Sequence, residues 1–269
     1  MTTLLSSLRP GRSVRLESAP TTAVVQPYAE PYVGGSGRSG VLLCHGFTGA
    51  VIAMRPWADH LVQAGFRVSV PRLPGHGTSW QELNQTTWMD WYAEVDRAFV
   101  ALRADCDQVF VAGLSMGATL GLRLAEQHGP AVAGLALVNP VLNITDPRIR
   151  ILPVLKRVFP SLGGIAGDIA QPGAVEGAYE RTPLRAMHSQ TFLWADVRAH
   201  LAEVTQPLLN FWSRQDHTVD PSTLPILRAG IGSSDVTFVT LERSYHVATL
   251  DYDAAEIFRG SSDFFFRLA

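Results

Sequence analysis

The feature that most constrains the fold is an apolar run that ends abruptly at two closely spaced glycines. Residues 109–111 are β-branched and aromatic, which is typical of a strand buried on both faces. The stretch 118–127 is rich in alanine and leucine and ends just before a Gly-Pro pair, which indicates a helix. Between them, the segment GLSMG at residues 113–117 fits the pattern G-x-S-x-G.

The residue at the centre of this pattern, Ser115, has two interpretations. In one, a sharp strand-to-helix turn strains the serine and pushes its hydroxyl out at the top of the sheet as a nucleophile. The two glycines then remove side chains that would clash where strand and helix approach each other. In the other, the serine only caps the following helix. A nucleophilic serine needs partners, and these are sought elsewhere in the chain.

Strand-like and helical runs alternate along most of the chain. This order predicts an α/β fold, with a mostly parallel sheet and helices on both faces. The predicted strands are residues 40–46, 66–73, 109–111, 133–140, 207–213 and 235–242. The predicted helices are residues 55–65, 86–106, 118–127 and 253–268.

The region 143–205 breaks this alternation. It has no clear strand, and its recurring prolines and glycines are interleaved with apolar residues. A loop of this length in a compact domain is usually a lid or a binding insertion, and its many large apolar residues argue against a disordered insert. We therefore predict a small, partly helical cap at 143–205, a core of residues 21–142 and 206–269, and a flexible segment at 1–20.

The composition argues against several classes of partner. The chain of 269 residues has a formal net charge of −2 and no block of lysine or arginine, so nucleic acid and strongly anionic membrane surfaces are not expected as partners. No apolar run approaches the roughly 18 residues of a membrane span, so stable membrane insertion is not expected. The two cysteines, Cys44 and Cys106, are too few for a disulfide framework, which indicates a reducing, cytoplasmic setting.

A serine hydroxyl needs a base that takes its proton and an acid that orients the base. In strand-turn-helix serine sites, the acid and then the histidine follow the serine along the chain. Among eight histidines, His246 follows the last predicted strand directly, so it would reach the carboxyl ends of the parallel strands. Asp216 and Asp220 both follow the strand at 207–213. Because Asp220 precedes a proline and a potential helix, an N-cap role explains it, and we predict Asp216 as the acid.

Two backbone N–H groups would stabilise the oxyanion that forms when an ester carbonyl is attacked. One comes from the residue after the serine and the other from an early strand–helix loop. Met116 and Phe47, the latter in the segment HGFTG at residues 45–49, occupy these places. Taken alone, His45 and Gly46 are better explained as an ordinary turn after a strand.

Four segments together resemble a known family: HGFTG, PRLPGHG, GLSMG and SYHVATLDYD. They are similar to the bacterial monoacylglycerol lipase and carboxylesterase branch of the α/β-hydrolase family, and the similarity runs from about Val33 over nearly the whole chain. The resemblance implies the α/β-hydrolase fold with a small cap. It also implies hydrolysis of a fatty acyl ester through Ser115, Asp216 and His246, with no metal or cofactor.

The resemblance further implies a substrate. In monoacylglycerol lipases of this kind, a cap glutamate in an AYE-x-TP segment helps to hold the glycerol hydroxyls. Glu180 occupies that position here, and the alternative is a solvated surface residue. The expected partner is thus a small lipid ester, with at most transient contact with lipid aggregates. The alternatives are a short- or medium-chain carboxylesterase or thioesterase and, more remotely, a non-catalytic protein that binds an apolar ligand.

Overall fold

The computed structural model describes residues 23–164 and 166–269, and the predicted flexible segment at 1–20 lies outside this part of the chain. The described residues contain nine strands. They are β1 (Tyr32–Gly34), β2 (Ser39–Cys44), β3 (Arg67–Val70), β4 (Gln108–Leu114), β5 (Val132–Val138), β6 (Ser161–Gly163), β7 (Arg181–Pro183), β8 (Leu208–Ser213) and β9 (Val236–Leu241).

Seven of these strands form the central sheet, in the order β1-β3-β2-β4-β5-β8-β9. Only β1 runs antiparallel to its neighbour, and the other pairs are parallel. The mostly parallel sheet predicted from the alternation of elements is thus confirmed. Because the carboxyl ends of parallel strands share one edge, the loops that follow β4, β5, β8 and β9 meet there.

Helices cover both faces of the sheet, as predicted. The helices are α1 (Arg55–Gln63), α2 (Trp80–Leu83), α3 (Trp88–Asp105), α4 (Met116–His128), α5 (Arg148–Val158), α6 (Leu184–His200), α7 (Thr223–Gly230) and α8 (Ala254–Leu268). In the described part of the chain, none of them is long and apolar enough to cross a membrane.

The side chains of strand β4 pack against helices on both faces of the sheet. Val109 and Val111 belong to the core cluster that includes residues of α3, α4 and α6, whereas Phe110 and Ala112 belong to the cluster that includes residues of α1 and α8. All four side chains are fully buried. The continuous apolar run of this strand is therefore a consequence of its two covered faces.

The core elements lie close to their predicted positions, with ends displaced by a few residues. Helix α4 begins at Met116 and not at residue 118, because the chain enters the helix directly after Ser115. Helix α3 begins after Thr87, whose hydroxyl and backbone form a reciprocal capping box with Asp90. Strand β1 was not predicted, since it has only three partly or fully exposed residues and pairs with a distant strand.

The segment between β5 and β8 contains α5, a two-stranded antiparallel sheet of β6 and β7, and α6. This small sheet was not expected, because a three-residue strand leaves no detectable alternation. Ala186, Leu193 and Val197 of α6 pack in the same core cluster as α3 and α4. The predicted cap boundaries, 143–205, thus enclose one helix that belongs to the layer covering the sheet.

Candidate active site

Ser115 sits at a strained turn between β4 and α4. Its backbone has φ 57° and ψ −119°, a conformation that costs a residue with a side chain on the order of 1–3 kcal/mol. The turn leaves no room for a side chain at either flanking glycine. A Cβ added to Gly117 would lie 2.1 Å from the carbonyl oxygen of Cys44, and one added to Gly113 would lie 2.6 Å from the Ala118 nitrogen. The sequence pattern thus corresponds to a real steric requirement.

The hydroxyl of Ser115 does not cap the helix that follows. The residue occupies the N-cap position of α4, but its side chain makes no capping hydrogen bond. Instead, the backbone N–H of Ser115 donates to the carbonyl of Val138 at the end of β5, at 2.9 Å. The capping interpretation of the serine is therefore wrong for its hydroxyl, which is left available for chemistry.

Asp216 and His246 form a shielded pair at the same edge of the sheet. Asp216 follows β8 and His246 follows β9, and His246 Nδ1 lies 2.8 Å from Asp216 Oδ2. Only 3% of the Asp216 side chain and 9% of the His246 side chain are exposed. The second carboxylate oxygen accepts the backbone N–H groups of Thr218 and Val219, each at 2.8 Å. One oxygen is thus fixed by its own loop while the other orients the imidazole.

Burial and charge act in opposite directions on this pair. Burial disfavours the imidazolium, but the charge and hydrogen bond of Asp216, with smaller contributions from Glu176 and Asp168, outweigh it and raise the pKa of His246 above 6.5. Burial also opposes ionisation of Asp216, yet His246 and the loop amides lower the pKa of that carboxyl below 3.8. The site therefore stabilises a carboxylate–imidazolium pair.

Asn139 ties these strand ends together, and the sequence analysis did not select it. It follows β5 directly with φ 46°, and its side-chain amide donates to the carbonyl of His246 at 2.8 Å and to Ser213 Oγ at 2.9 Å. The Ser213 hydroxyl in turn donates to the carbonyl of Tyr245. The loop that carries His246 is thus anchored at the end of β5, where Val138 also accepts the backbone N–H of Ser115. A polar residue placed directly after an apolar strand was the available signal.

The predicted oxyanion loop lies against Ser115. A Cβ added to Gly46 would lie 3.4 Å from Ser115 Cβ and 3.9 Å from its Oγ. Within this loop, His45 Nε2 accepts the N–H of Leu73 at 3.2 Å, so Nδ1 carries the proton and donates to the carbonyl of Gly46 at 3.0 Å. Burial lowers the pKa of His45 to about 4, which keeps the ring neutral.

This contact has a consequence for Phe47. The carbonyl of Gly46 and the N–H of Phe47 belong to one planar trans peptide and point in opposite directions, so the His45 hydrogen bond fixes the direction of the Phe47 N–H. Met116 is the first residue of α4, and the first N–H groups of a helix have no partner within it. His45 is therefore more than a turn residue, because it holds the backbone of the predicted oxyanion loop.

Asp220 has a local role, although not the predicted one. The N-cap residue of α7 is Ser222, so the prediction that Asp220 caps this helix is wrong. The Asp220 carboxylate accepts the backbone N–H of Ser222 at 2.9 Å and that of Thr145 at 2.6 Å. The Asp220 carboxylate thus holds the turn before α7 and joins Thr145 to it. Of the two aspartates, Asp216 is the one that contacts His246.

The structure separates the two glutamates of the VEGAYE segment. Glu180 is exposed, and its backbone carbonyl accepts the N–H of Gly164. Glu176 is partly buried, and its Oε2 is shielded from solvent without a hydrogen-bond partner among the described residues. Burial raises the pKa of Glu176, and its charge acts on His246. Glu180 was predicted from the AYE-x-TP motif. Because residues 176–180 form neither helix nor strand, no periodicity in the sequence indicated that Glu176 is the more buried glutamate.

One group of potential metal ligands occurs in the described part of the chain, on α4 and α6. Donor atoms of Glu126, Asp196 and His200 lie within 4.8 Å of one another. However, the guanidinium of Arg123 pairs with Glu126 at 3.1 Å and with Asp196 at 3.0 Å. A cation of the protein itself thus already occupies this group.

A comparison with known protein families identifies the family of this chain. A family model described as serine aminopeptidase, S33, matches residues 35–253. The chain belongs to this family. S33 proteins of this kind are α/β hydrolases, so the predicted resemblance and the predicted serine hydrolase class are both confirmed.

Individual S33 relatives support the same branch. The chain is 41% identical to a thermostable monoacylglycerol lipase of Bacillus sp. (strain H-257), over 88% of this chain and 94% of that protein. It is 26% identical to a carboxylesterase of Bacillus subtilis (strain 168), over 85% and 92% of the two chains. A solved structure of metagenome-derived lipolytic enzymes superposes with a TM-score of 0.88 at 38% identity, covering 91% of this chain and all of the other.

Proposed function

We propose that the protein hydrolyses fatty acyl esters and that its preferred substrate is a monoacylglycerol, which yields a free fatty acid and glycerol. The observation that carries this proposal is the shielded Asp216–His246 pair, at the edge of the sheet where the strained Ser115 leaves its hydroxyl unused for capping. Similarity to a Bacillus monoacylglycerol lipase over most of both chains supports the substrate class.

In the proposed cycle, His246 accepts the proton of Ser115 as the serine oxygen attacks the ester carbonyl. Asp216 orients the imidazole and stabilises the imidazolium. The N–H groups of Phe47 and Met116 stabilise the oxyanion, a contribution of about 3 kcal/mol for each donor in comparable enzymes. The imidazolium then protonates the leaving alcohol. Water, activated by His246, attacks the acyl-enzyme and releases the fatty acid, which restores the free serine.

We further propose that residues 143–183 form the covering part of the predicted cap and that α6 belongs to the core layer. Within this cover, Glu176 replaces Glu180 as the proposed ligand of the glycerol hydroxyls. A carboxylate oxygen that is shielded from solvent lowers the stability of the fold unless a hydrogen-bond donor reaches it. The hydroxyls of a glycerol head group would supply such donors to Glu176 Oε2. The exposed Glu180 has no such need.

A carboxylesterase of broad specificity, or a thioesterase, is the alternative within the same mechanism, and the carboxylesterase relative favours the former. A non-catalytic binder of an apolar ligand is a remote alternative, since binding does not require an oriented Asp216–His246 pair. The proposed location is the cytoplasm, because both cysteines are free thiols, which suits a reducing compartment.

Paired substrates test the substrate class. At a pH well above the raised pKa of His246, where loss of the Glu176 charge leaves the imidazole neutral, we expect Glu176→Gln to lower kcat/KM on a monoacylglycerol about 10- to 100-fold, the effect of losing a charge-assisted hydrogen bond. At the same pH the rate on the p-nitrophenyl ester of the same acyl length should change less than about twofold, because that ester has no glycerol hydroxyls. Glu180→Gln is the matched control and should change neither rate. Equal losses on both esters would favour the carboxylesterase, and a wild-type protein inactive on both would contradict ester hydrolysis.

A further inference from the structure

The carboxylate of Asp168 lies where two loops of the site meet. We call residues 214–219 the acid loop and residues 242–247 the histidine loop. Asp168 Oδ2 accepts the backbone N–H of His217 at 3.1 Å and the backbone N–H of His246 at 3.2 Å, while Oδ1 lies 2.8 Å from His217 Nδ1. A single carboxylate thus bonds to both loops, although 49 and 78 residues of chain separate it from these partners.

The acid loop is built around two carboxylates. The N–H of His217 points to Asp168, whereas those of Thr218 and Val219 point to Asp216 Oδ1. Three successive amides are therefore directed at anions. The Asp216 oxygen that faces His246 can keep its direction only while this loop keeps its shape, and Asp168 supplies one of the bonds that shape it.

The histidine loop is fastened to the same segment from its other side. The backbone carbonyl of Asp168 accepts the N–H of Val247. Asp251, which is 3% exposed, accepts the N–H groups of Ala170 and Gln171 and also that of Tyr245. Residues 168–171 are thus held against the histidine loop by two carboxylates, that of Asp168 and that of Asp251, which lies beyond the loop.

We propose that Asp168 is a positioning residue for the hydrolytic reaction: by bonding to both loops it sets the alignment of Asp216 with His246, and it couples that alignment to residues 143–183. Asp168 touches no substrate and acts through His246 and the acid loop. The inference rests on the proposed function, because it assigns Asp168 a part in that catalytic relay.

A merely structural anchor and a positioning residue differ in their consequences. The Asp168 side chain is only 15% exposed, so its charge is poorly screened, and it contributes to the raised pKa of His246. Removing the charge should therefore move the acid limb of the rate profile as well as the rate. A structural anchor would lower thermal stability and leave kcat unchanged at a pH where His246 is neutral.

The test compares Asp168→Asn with Asp220→Asn. Asp220 is a matched control because its carboxylate also joins the loop after β8 to residues 143–183, through the backbone N–H of Thr145, and makes no hydrogen bond to the histidine loop among the described residues. On a soluble ester, we expect Asp168→Asn to lower kcat about 10- to 100-fold, the range for a small misplacement of catalytic groups, with KM within about threefold. Its acid limb should move to lower pH. Asp220→Asn should change neither kcat nor the limb.

An Asp168→Asn variant with wild-type kcat would overturn the inference whether or not its acid limb moves, and so would equal effects in Asp220→Asn. Amide hydrogen exchange on the wild-type protein tests the loop junction without substrate or variant. The N–H groups of His217 and His246 should exchange slowly, and free exchange of both would also overturn the inference. A wild-type protein that hydrolyses no ester would contradict the proposed function and with it the catalytic part of the inference, and the exchange result would then decide only whether Asp168 joins the two loops.

Discussion

Two aspartate–histidine pairs of this protein have similar geometry and different surroundings. His246 Nδ1 lies 2.8 Å from Asp216, and His128 Nε2 lies 2.6 Å from Asp96. In the first pair, 9% of the histidine and 3% of the aspartate side chain are exposed, whereas in the second the fractions are 21% and 40%. A short contact between an imidazole and a carboxylate therefore does not by itself mark a catalytic site.

The difference lies in where each pair is placed. Asp96 and His128 belong to helices α3 and α4, so the helix surfaces and the ring of Phe99 surround them. Asp216 and His246 stand on loops after neighbouring parallel strands, at the edge that also carries Ser115. Loops at this edge can bring groups from distant parts of the chain together. Because the Asp216 and His246 side chains are buried, solvent screens the interaction between them only weakly.

The largest expected effect separates the two pairs directly. Asp216→Asn should lower kcat about 10⁴-fold, because the amide cannot hold the imidazole in the required tautomer or stabilise its protonated form. Asp96→Asn should leave kcat within about twofold, since a partly exposed contact of this kind contributes about 0–1 kcal/mol to stability and Asp96 lies on α3, not on the loops that carry Asp216 and His246. Steady-state kinetics on a soluble ester measures both. Comparable losses in the two variants would remove the distinction drawn here.

A smaller effect concerns pH. Since the pKa of His246 is raised above 6.5 and only the neutral imidazole accepts a proton, kcat/KM should fall as pH decreases through that raised pKa. The decline should reach about tenfold per pH unit at the acid end. Asp96→Asn should keep the same midpoint. A midpoint at or below 6.5 would contradict the raised pKa of His246, and a flat profile from pH 5 to 8 would contradict its assignment as the base.

Local chemistry explains what the sequence could predict. The apolar strand, the two glycines and the helix rich in alanine and leucine each impose their own local conformation around Ser115, so the turn was predictable from residues 109–127 alone. Asp216 could be preferred over Asp220 because a helix N-cap offered the latter a local role, although its carboxylate proved to accept the N–H of Ser222, two residues on, and that of Thr145, 75 residues away.

The parts that escaped prediction depend on contacts between distant residues. Asp168 gains its partners from loops 49 and 78 residues away, and nothing in its own neighbourhood distinguishes it from a surface aspartate. Glu176 and Glu180 lie four residues apart in an irregular segment, where no periodicity predicts which side chain is buried. Strands β6 and β7 are too short to show alternation.

Covalent labelling tests the central claim most directly. A fluorophosphonate reacts with an activated serine, and mass spectrometry of the digested protein locates the adduct. We predict one adduct per chain, on the peptide that contains Ser115, with labelling that fades as His246 becomes protonated and disappears in Ser115→Ala. An unlabelled wild-type protein, or an adduct that persists in Ser115→Ala, would contradict the assignment of Ser115 as the nucleophile.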